Sequence, residues 1–140
     1  MNLSRVTIRG MAHLFAALAV LLSACSVSFS TANIGDAWLA TDEEGNNRVT
    51  TFRQDETVFY AKVRLQNAPD GTRTKGVWRA VEVQGVEPDF KIGETTLESS
   101  SAILTFKLSN EGFWPIGRYQ LELYPNDNTE PARTLTFEVR

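Results

Sequence analysis

One stretch of the chain, residues 57–66, constrains the fold more than any other. Its apolar side chains occupy every second position, at Phe59, Ala61, Val63 and Leu65. This period of two is typical of a β-strand with one face buried and the other in water, whereas the apolar face of an α-helix recurs every three or four residues. Residues 67–71, Asn-Ala-Pro-Asp-Gly, are turn formers. We therefore predict a half-buried strand over residues 57–66 that ends in a tight turn.

Short apolar runs of the same kind recur through residues 34–140, separated by Gly, Pro, Asn and Asp. Besides residues 57–66, the predicted strands are residues 34–41, residues 75–84, short runs at 48–52 (a continuation of the first strand) and 90–92 (an edge strand), and stretches around Leu104, Leu121 and Phe137. About seven strands with turns between them predict an all-β fold, an antiparallel two-sheet sandwich of the immunoglobulin or fibronectin III type. An N-terminal signal helix would precede it.

The strand at residues 75–84 alternates imperfectly. If Trp78 and Ala80 face the core, Glu82 is badly placed, and if the valines Val77, Val81 and Val83 do, Arg79 is buried. A β-bulge, which adds one residue and switches the faces, reconciles the two patterns.

Two local features resemble those of immunoglobulin-type sandwiches. Trp78 lies in the third main strand, and Pro115-Ile116-Gly117-Arg118-Tyr119 resembles a tyrosine corner, in which a phenol bonds back to nearby backbone. The pattern Asn-Ala-Pro-Asp-Gly-Thr, a Trp and Gly-x-Tyr-x-Leu-x-Leu-Tyr is similar to that of small bacterial lipoproteins with one immunoglobulin-like domain. That resemblance implies no defined activity.

The first 25 residues resemble the leader of a bacterial lipoprotein. Arg5 and Arg9 precede an apolar run at residues 11–22, which is shorter than the roughly twenty residues of a membrane span. The run ends in Leu22-Ser23-Ala24-Cys25, the order of a lipobox. The resemblance implies a diacylglycerol on Cys25 and cleavage before it. An ordinary secretory signal cut after Ala32 is the alternative.

These features divide the chain into a signal peptide at residues 1–24, a lipidated Cys25 with a tether to residue 33, and a sandwich domain at residues 34–140. Val27 and Phe29 alternate with serines, so this segment fits either a tether or a first strand. Ser26 follows the cysteine where an inner-membrane retention signal would have aspartate. We therefore expect a lipid anchor in the cell membrane or outer membrane, with the domain facing the periplasm or exterior.

The residue inventory argues against catalysis. Cys25 is the single cysteine and His13 the single histidine, so residues 26–140 lack the Ser-His and Cys-His arrangements and the usual zinc ligands. Removing the leader with Arg5 and Arg9 leaves 12 of the 14 basic side chains against 17 acidic ones, a net charge of about −5. That charge disfavours nucleic acid. We predict neither enzyme activity, metal nor cofactor.

Two places qualify as binding surfaces. In Phe113-Trp114-Pro115, an exposed Trp114 beside Phe113 could stack on a sugar or anchor a partner protein, or Trp114 could plug the end of the sandwich. The second is an outward stripe on one strand, formed by Tyr60, Lys62 and Arg64. This stripe is either a surface for an acidic partner or an ordinary solvated sheet face.

Residues 42–47, Asp-Glu-Glu-Gly-Asn-Asn, are dense in oxygen ligands but do not match a calcium loop, and we expect a solvated hairpin turn. The function predicted from all of these features is a lipid-anchored, non-catalytic binding or assembly module that contacts an envelope protein. The alternative is a lipoprotein that binds carbohydrate or another small ligand through the loop around Trp114.

Overall fold

A computed structural model describes residues 32–99 and 102–140 of the chain. Every element in that part is a β-strand, which confirms the all-β prediction, and eight strands are present rather than seven. They are β1 (Asn33–Ala40), β2 (Thr51–Phe52), β3 (Val58–Gln66), β4 (Arg73–Val83), β5 (Phe90–Glu98), β6 (Ile103–Ser109), β7 (Gly117–Pro125) and β8 (Arg133–Val139). The predicted signal helix, the lipidated Cys25 and the Val27–Phe29 question lie outside the described residues. Within them, no helix has the length and apolar character to span a membrane.

The strands form two sheets. One has three strands in the order β1-β3-β6, and the other has five in the order β2-β8-β7-β4-β5. Neighbouring strands are antiparallel except β2 and β8, which run parallel. The prediction that residues 48–52 continue the first strand is therefore wrong. Arg48 makes only an isolated bridge to Ala40, and Thr51–Phe52 joins the opposite sheet, so the chain crosses between sheets here.

The predicted alternation and bulge are both present. On β3, Phe59, Ala61 and Val63 are fully buried, as the period of two requires. On β4, Trp78 and Ala80 face the core, the pairing with β7 shifts register between Ala80 and Glu82, and Val83 is then buried. The bulge therefore lets both halves of β4 bury their apolar residues.

β5 is longer than the predicted run at residues 90–92. It covers nine residues and forms one edge of the five-stranded sheet. The residues that extend it, Gly93-Glu94-Thr95-Thr96-Leu97-Glu98, are mostly polar and exposed. An edge strand with little buried surface shows no apolar period, which is why the sequence pattern missed it.

The two ends of the sandwich differ in what they carry. The entry end is where β1 begins at Asn33, paired with Gln66, and it includes the turns at residues 67–72 and 126–132. The aromatic end, the opposite one, includes the loops at residues 53–57, 84–89 and 110–116 together with Arg140. Because β3 and β7 are nine residues long, the two ends are about 30 Å apart.

Candidate functional site

A tyrosine corner fixes the loop at residues 110–116. The Tyr119 hydroxyl donates a hydrogen bond of 2.7 Å to the carbonyl oxygen of Pro115, as the resemblance implied. Burial raises the pKa of Tyr119 to about 12. Gly117, which lies between Pro115 and Tyr119, has φ +152°, and a Cβ there would collide with the Glu82 backbone. The loop therefore enters β7 along one path.

Trp114 is buried, with 5% of its surface exposed. Its ring stacks on Phe59 at 4.5 Å between centroids, and its indole N–H donates to the Glu56 carbonyl oxygen at 2.8 Å. Its backbone N–H donates to the Gln54 carbonyl oxygen and its own carbonyl accepts from the Gln54 amide, both at 2.9 Å. The plug interpretation is confirmed. As a correction to the candidate binding residues, the Trp114 ring has no open face for a sugar.

Phe113, the preceding residue, faces water with 76% of its surface exposed. It lines an open groove together with Arg53, Gln54, Asp55 and Arg140. Arg140 also lines a neighbouring groove that includes Ile116, which is 38% exposed. The two grooves therefore form one continuous apolar and charged surface across the aromatic end, and Phe113 rather than Trp114 is its exposed aromatic residue.

The arginines of this surface are each held by a carboxylate. Arg53 donates twice to Asp55, at 2.9 and 2.8 Å, and Arg118 pairs with Glu82 at 2.7 Å. Arg140 pairs with Glu138. The hydrogen bond from Arg53 lowers the pKa of Asp55. These pairs are too exposed to stabilise the fold much, but they neutralise the arginines toward a ligand.

The stripe on β3 is partly covered. Tyr60, Lys62 and Arg64 point outward as predicted, but the Lys62 ammonium donates to the Glu43 carbonyl oxygen at 2.9 Å and to the Thr105 hydroxyl at 2.6 Å. The Lys107 ammonium lies 5.6 Å from the Tyr60 ring centroid and pairs with Glu43. Arg64 is exposed, toward the entry end. Because Lys62 is bonded to Glu43 and Thr105, the three side chains do not form one open cationic surface.

The loop at residues 42–47 is the hairpin that covers this sheet. The Asp42 carboxylate accepts backbone N–H bonds from Asn46 at 2.9 Å and Asn47 at 2.6 Å, and these bonds lower its pKa. The Trp38 indole N–H donates to the Gly45 carbonyl oxygen at 2.9 Å. The Asp42 oxygens thus serve the turn, and residues 32–99 and 102–140 contain no group of three or more His, Cys, Asp or Glu arranged to hold a metal.

Phe113 could be predicted from the sequence as a surface residue, whereas its neighbours in the groove could not. Arg53, Ile116 and Arg140 lie far apart in the chain and are brought together only because the ends of β2, β7 and β8 meet at the aromatic end. The tyrosine corner signals only the place of Ile116, since it puts residues 115–119 at the start of β7.

Comparison with known proteins identifies the fold and no more. No protein-family model matches the chain, and no curated protein matches it. The chain is similar to a crystal structure of an immunoglobulin-like protein from Pseudomonas aeruginosa, with a TM-score of 0.54 and 12% sequence identity. The match covers 78% of this chain and 96% of that one. The described domain therefore has the fold of an immunoglobulin-like β-sandwich.

Proposed function

We propose that this protein is a lipid-anchored, non-catalytic module of the bacterial envelope that binds another protein. The observation that carries the proposal is the sequence Leu22-Ser23-Ala24-Cys25 at the end of a twelve-residue apolar run. Two acyl chains on Cys25 would hold the protein permanently, since each buried methylene contributes about 0.8 kcal/mol. The chain then enters the domain at Asn33, on the end opposite Phe113.

The side chains available for chemistry favour binding over catalysis. The one histidine and the one cysteine both precede the sandwich. At the aromatic end, Asp55 is ionised and held by Arg53, which suits neither a general acid nor a base near neutral pH. An exposed phenylalanine beside fixed polar groups is instead typical of a protein-binding surface.

The anchor is tested on the full chain expressed in a Gram-negative host. We expect the N-terminal peptide of the purified protein to begin at Cys25 and to carry the mass of a diacylglycerol, and Cys25→Ser to leave the membrane fraction. Ser26→Ala, which leaves the lipobox intact, is the matched control and should remain with the membranes. An N-terminal peptide without fatty acid would disprove the anchor.

A further inference from the structure

We propose that the aromatic end is the partner-binding surface, and that the partner is a protein presenting an apolar pocket rimmed by lysine or arginine. This inference rests on the proposed function and extends it, because it names the surface and the chemistry of the partner. Its apolar centre is Phe113 with Ile116. We use the term acidic rim for four carboxylates in the loops of this end, namely Glu56, Glu87, Asp89 and Glu111.

Exposed apolar side chains concentrate at this end. Of the four large hydrophobic residues that are exposed in the described part of the chain, three lie here, namely Phe90 at 50%, Phe113 at 76% and Ile116 at 38%. The fourth, Ile103, begins β6 toward the entry end. Such residues are normal when scattered singly, but Phe113 and Ile116 line adjoining grooves that share Arg140, and a continuous exposed apolar surface marks an interaction site.

The loop that carries Phe113 is held on both sides. Trp114 anchors it to the core, and the Asn110 backbone N–H donates to the Thr57 carbonyl oxygen at 3.1 Å. The Asn110 side-chain amide donates to the carbonyl oxygens of Gly112 and Phe113 at 3.3 and 3.4 Å. A partner would therefore meet a preorganised loop backbone at Phe113, which reduces the entropy lost on binding.

The charges of this end select a basic partner. Arg53, Arg118 and Arg140 are each neutralised by a neighbouring carboxylate. Four further carboxylates, belonging to the acidic rim, form no ion pair with any residue that the structure describes; they are Glu56, Glu87, Asp89 and Glu111. Glu56 and Asp89 interact electrostatically with Arg53 and Arg79, but acidic side chains outnumber basic ones at this end. The net charge is thus negative, and it complements lysine or arginine on the partner.

The same charges argue against other occupants. In a two-fold dimer, the aromatic end would face its own copy and bring two acidic rims together. An anionic lipid or nucleic acid would meet the same repulsion. A basic protein surface is the occupant that both the apolar centre and the acidic rim accept.

The experiment uses the full, lipidated chain in its native envelope. A photoreactive benzoylphenylalanine is placed at position 113, and at position 129 as a control, because Thr129 is exposed at the entry end. We expect position 113 to crosslink to one protein, through a peptide that contains Lys or Arg, and position 129 not to crosslink to it. A crosslink to a second copy of the chain, equal crosslinking from both positions, or no protein crosslink from position 113 would overturn the proposal.

Binding of the purified partner then tests the chemistry. We expect Phe113→Ser to weaken binding about tenfold or more, as truncation of a central interface residue does. Glu56→Lys with Glu111→Lys should weaken it further and reduce its salt dependence, whereas Glu130→Lys at the entry end should not. Undiminished binding by the Glu56 and Glu111 double variant would refute a basic partner. The mass of the N-terminal peptide, measured on the same samples, separates failure of this surface from failure of the anchor.

Discussion

The two ends of the sandwich are closed by different means. At the entry end the buried apolar residues are aliphatic, including Ile34, Leu65 and Leu104, and they lie beside the buried polar residues Thr72, Thr74 and Ser99. At the aromatic end, Trp114 closes the core with a set of packed rings, at centroid distances of 4.2 to 6.3 Å, formed by Phe52, Phe59, Tyr119 and Phe137. A loop anchored by a buried tryptophan can thus expose the phenylalanine beside it.

The sharpest test of this contrast replaces each of the two adjacent aromatic residues with alanine in a separate variant. Trp114→Ala should destabilise the protein by about 3–5 kcal/mol, because it leaves a cavity and removes the indole hydrogen bond to Glu56. Phe113→Ala, the matched control, should change the free energy of unfolding by about 0.5 kcal/mol or less. Urea unfolding measures both. Equal losses in the two variants would contradict the assignment of one ring to the core and the other to the surface.

The tyrosine corner gives the next largest effect. Tyr119→Phe should cost about 1–2 kcal/mol, because the buried Tyr119 side chain loses its hydrogen bond to the half-buried Pro115 carbonyl oxygen. Tyr124→Phe removes a hydroxyl that bonds to the Glu122 carboxylate on the outer side of β7, and it should cost less. Urea unfolding of the two variants measures this difference as a shift in the denaturation midpoint at unchanged m-value. If Tyr119→Phe is the milder of the two, the corner is not what holds the loop.

In the entry-end turn at residues 67–72, a substitution of Gly71 should lower stability through backbone strain alone. Gly71 has φ +83°, and a Cβ there would lie 3.4 Å from a Glu98 carboxylate oxygen, so space is available. Gly71→Ala should therefore cost about 1 kcal/mol, the strain of a left-handed conformation. Thermal unfolding compares it with Gly112→Ala, where a Cβ meets nothing within 4 Å and φ is not positive. Equal midpoints of thermal unfolding for the two variants would show that the turn does not depend on the positive φ of Gly71.

The smallest effect concerns the hairpin at residues 42–47. Backbone N–H bonds lower the pKa of Asp42, and the pair with Lys107 lowers that of Glu43. Their contribution is therefore complete above the ordinary carboxyl pKa, about 4, and is lost as the pH falls through the lowered values. We expect the fluorescence of Trp38, bonded to Gly45, to change in that acidic window.

Asp42→Asn should reduce that fluorescence change, and Asp70→Asn, at the entry end, should leave it intact. Trp78 and Trp114 are buried, so their fluorescence should remain constant as long as the protein stays folded. A change that survives both substitutions unaltered would remove Asp42 as its source.

The sequence predicted those parts of the fold that depend on local patterns. The alternation of β3, the bulge of β4 and the bond from Tyr119 to Pro115 could all be read from residues close in the chain. The length of β5 and the parallel pairing of β2 with β8 could not, because they depend on polar edge residues and on a crossover between sheets.

The candidate surface was predictable only in part. Phe113 and Trp114 are adjacent aromatic residues, and nothing local says which of them faces Phe59. That choice depends on partners distant in sequence, Gln54 and Glu56, which hold Trp114 from the loop before β3. Arg140 joins the surface only because β8 ends beside that loop.

In the proposed arrangement, the aromatic end binds the partner and the entry end carries the tether. Hydrogen–deuterium exchange of the lipidated protein, alone and bound to its crosslinked partner, tests this arrangement. We expect slower exchange in the complex for peptides covering residues 53–57 and 110–117, with no change over residues 126–132. Protection of residues 126–132 with unchanged exchange at residues 110–117 would contradict it.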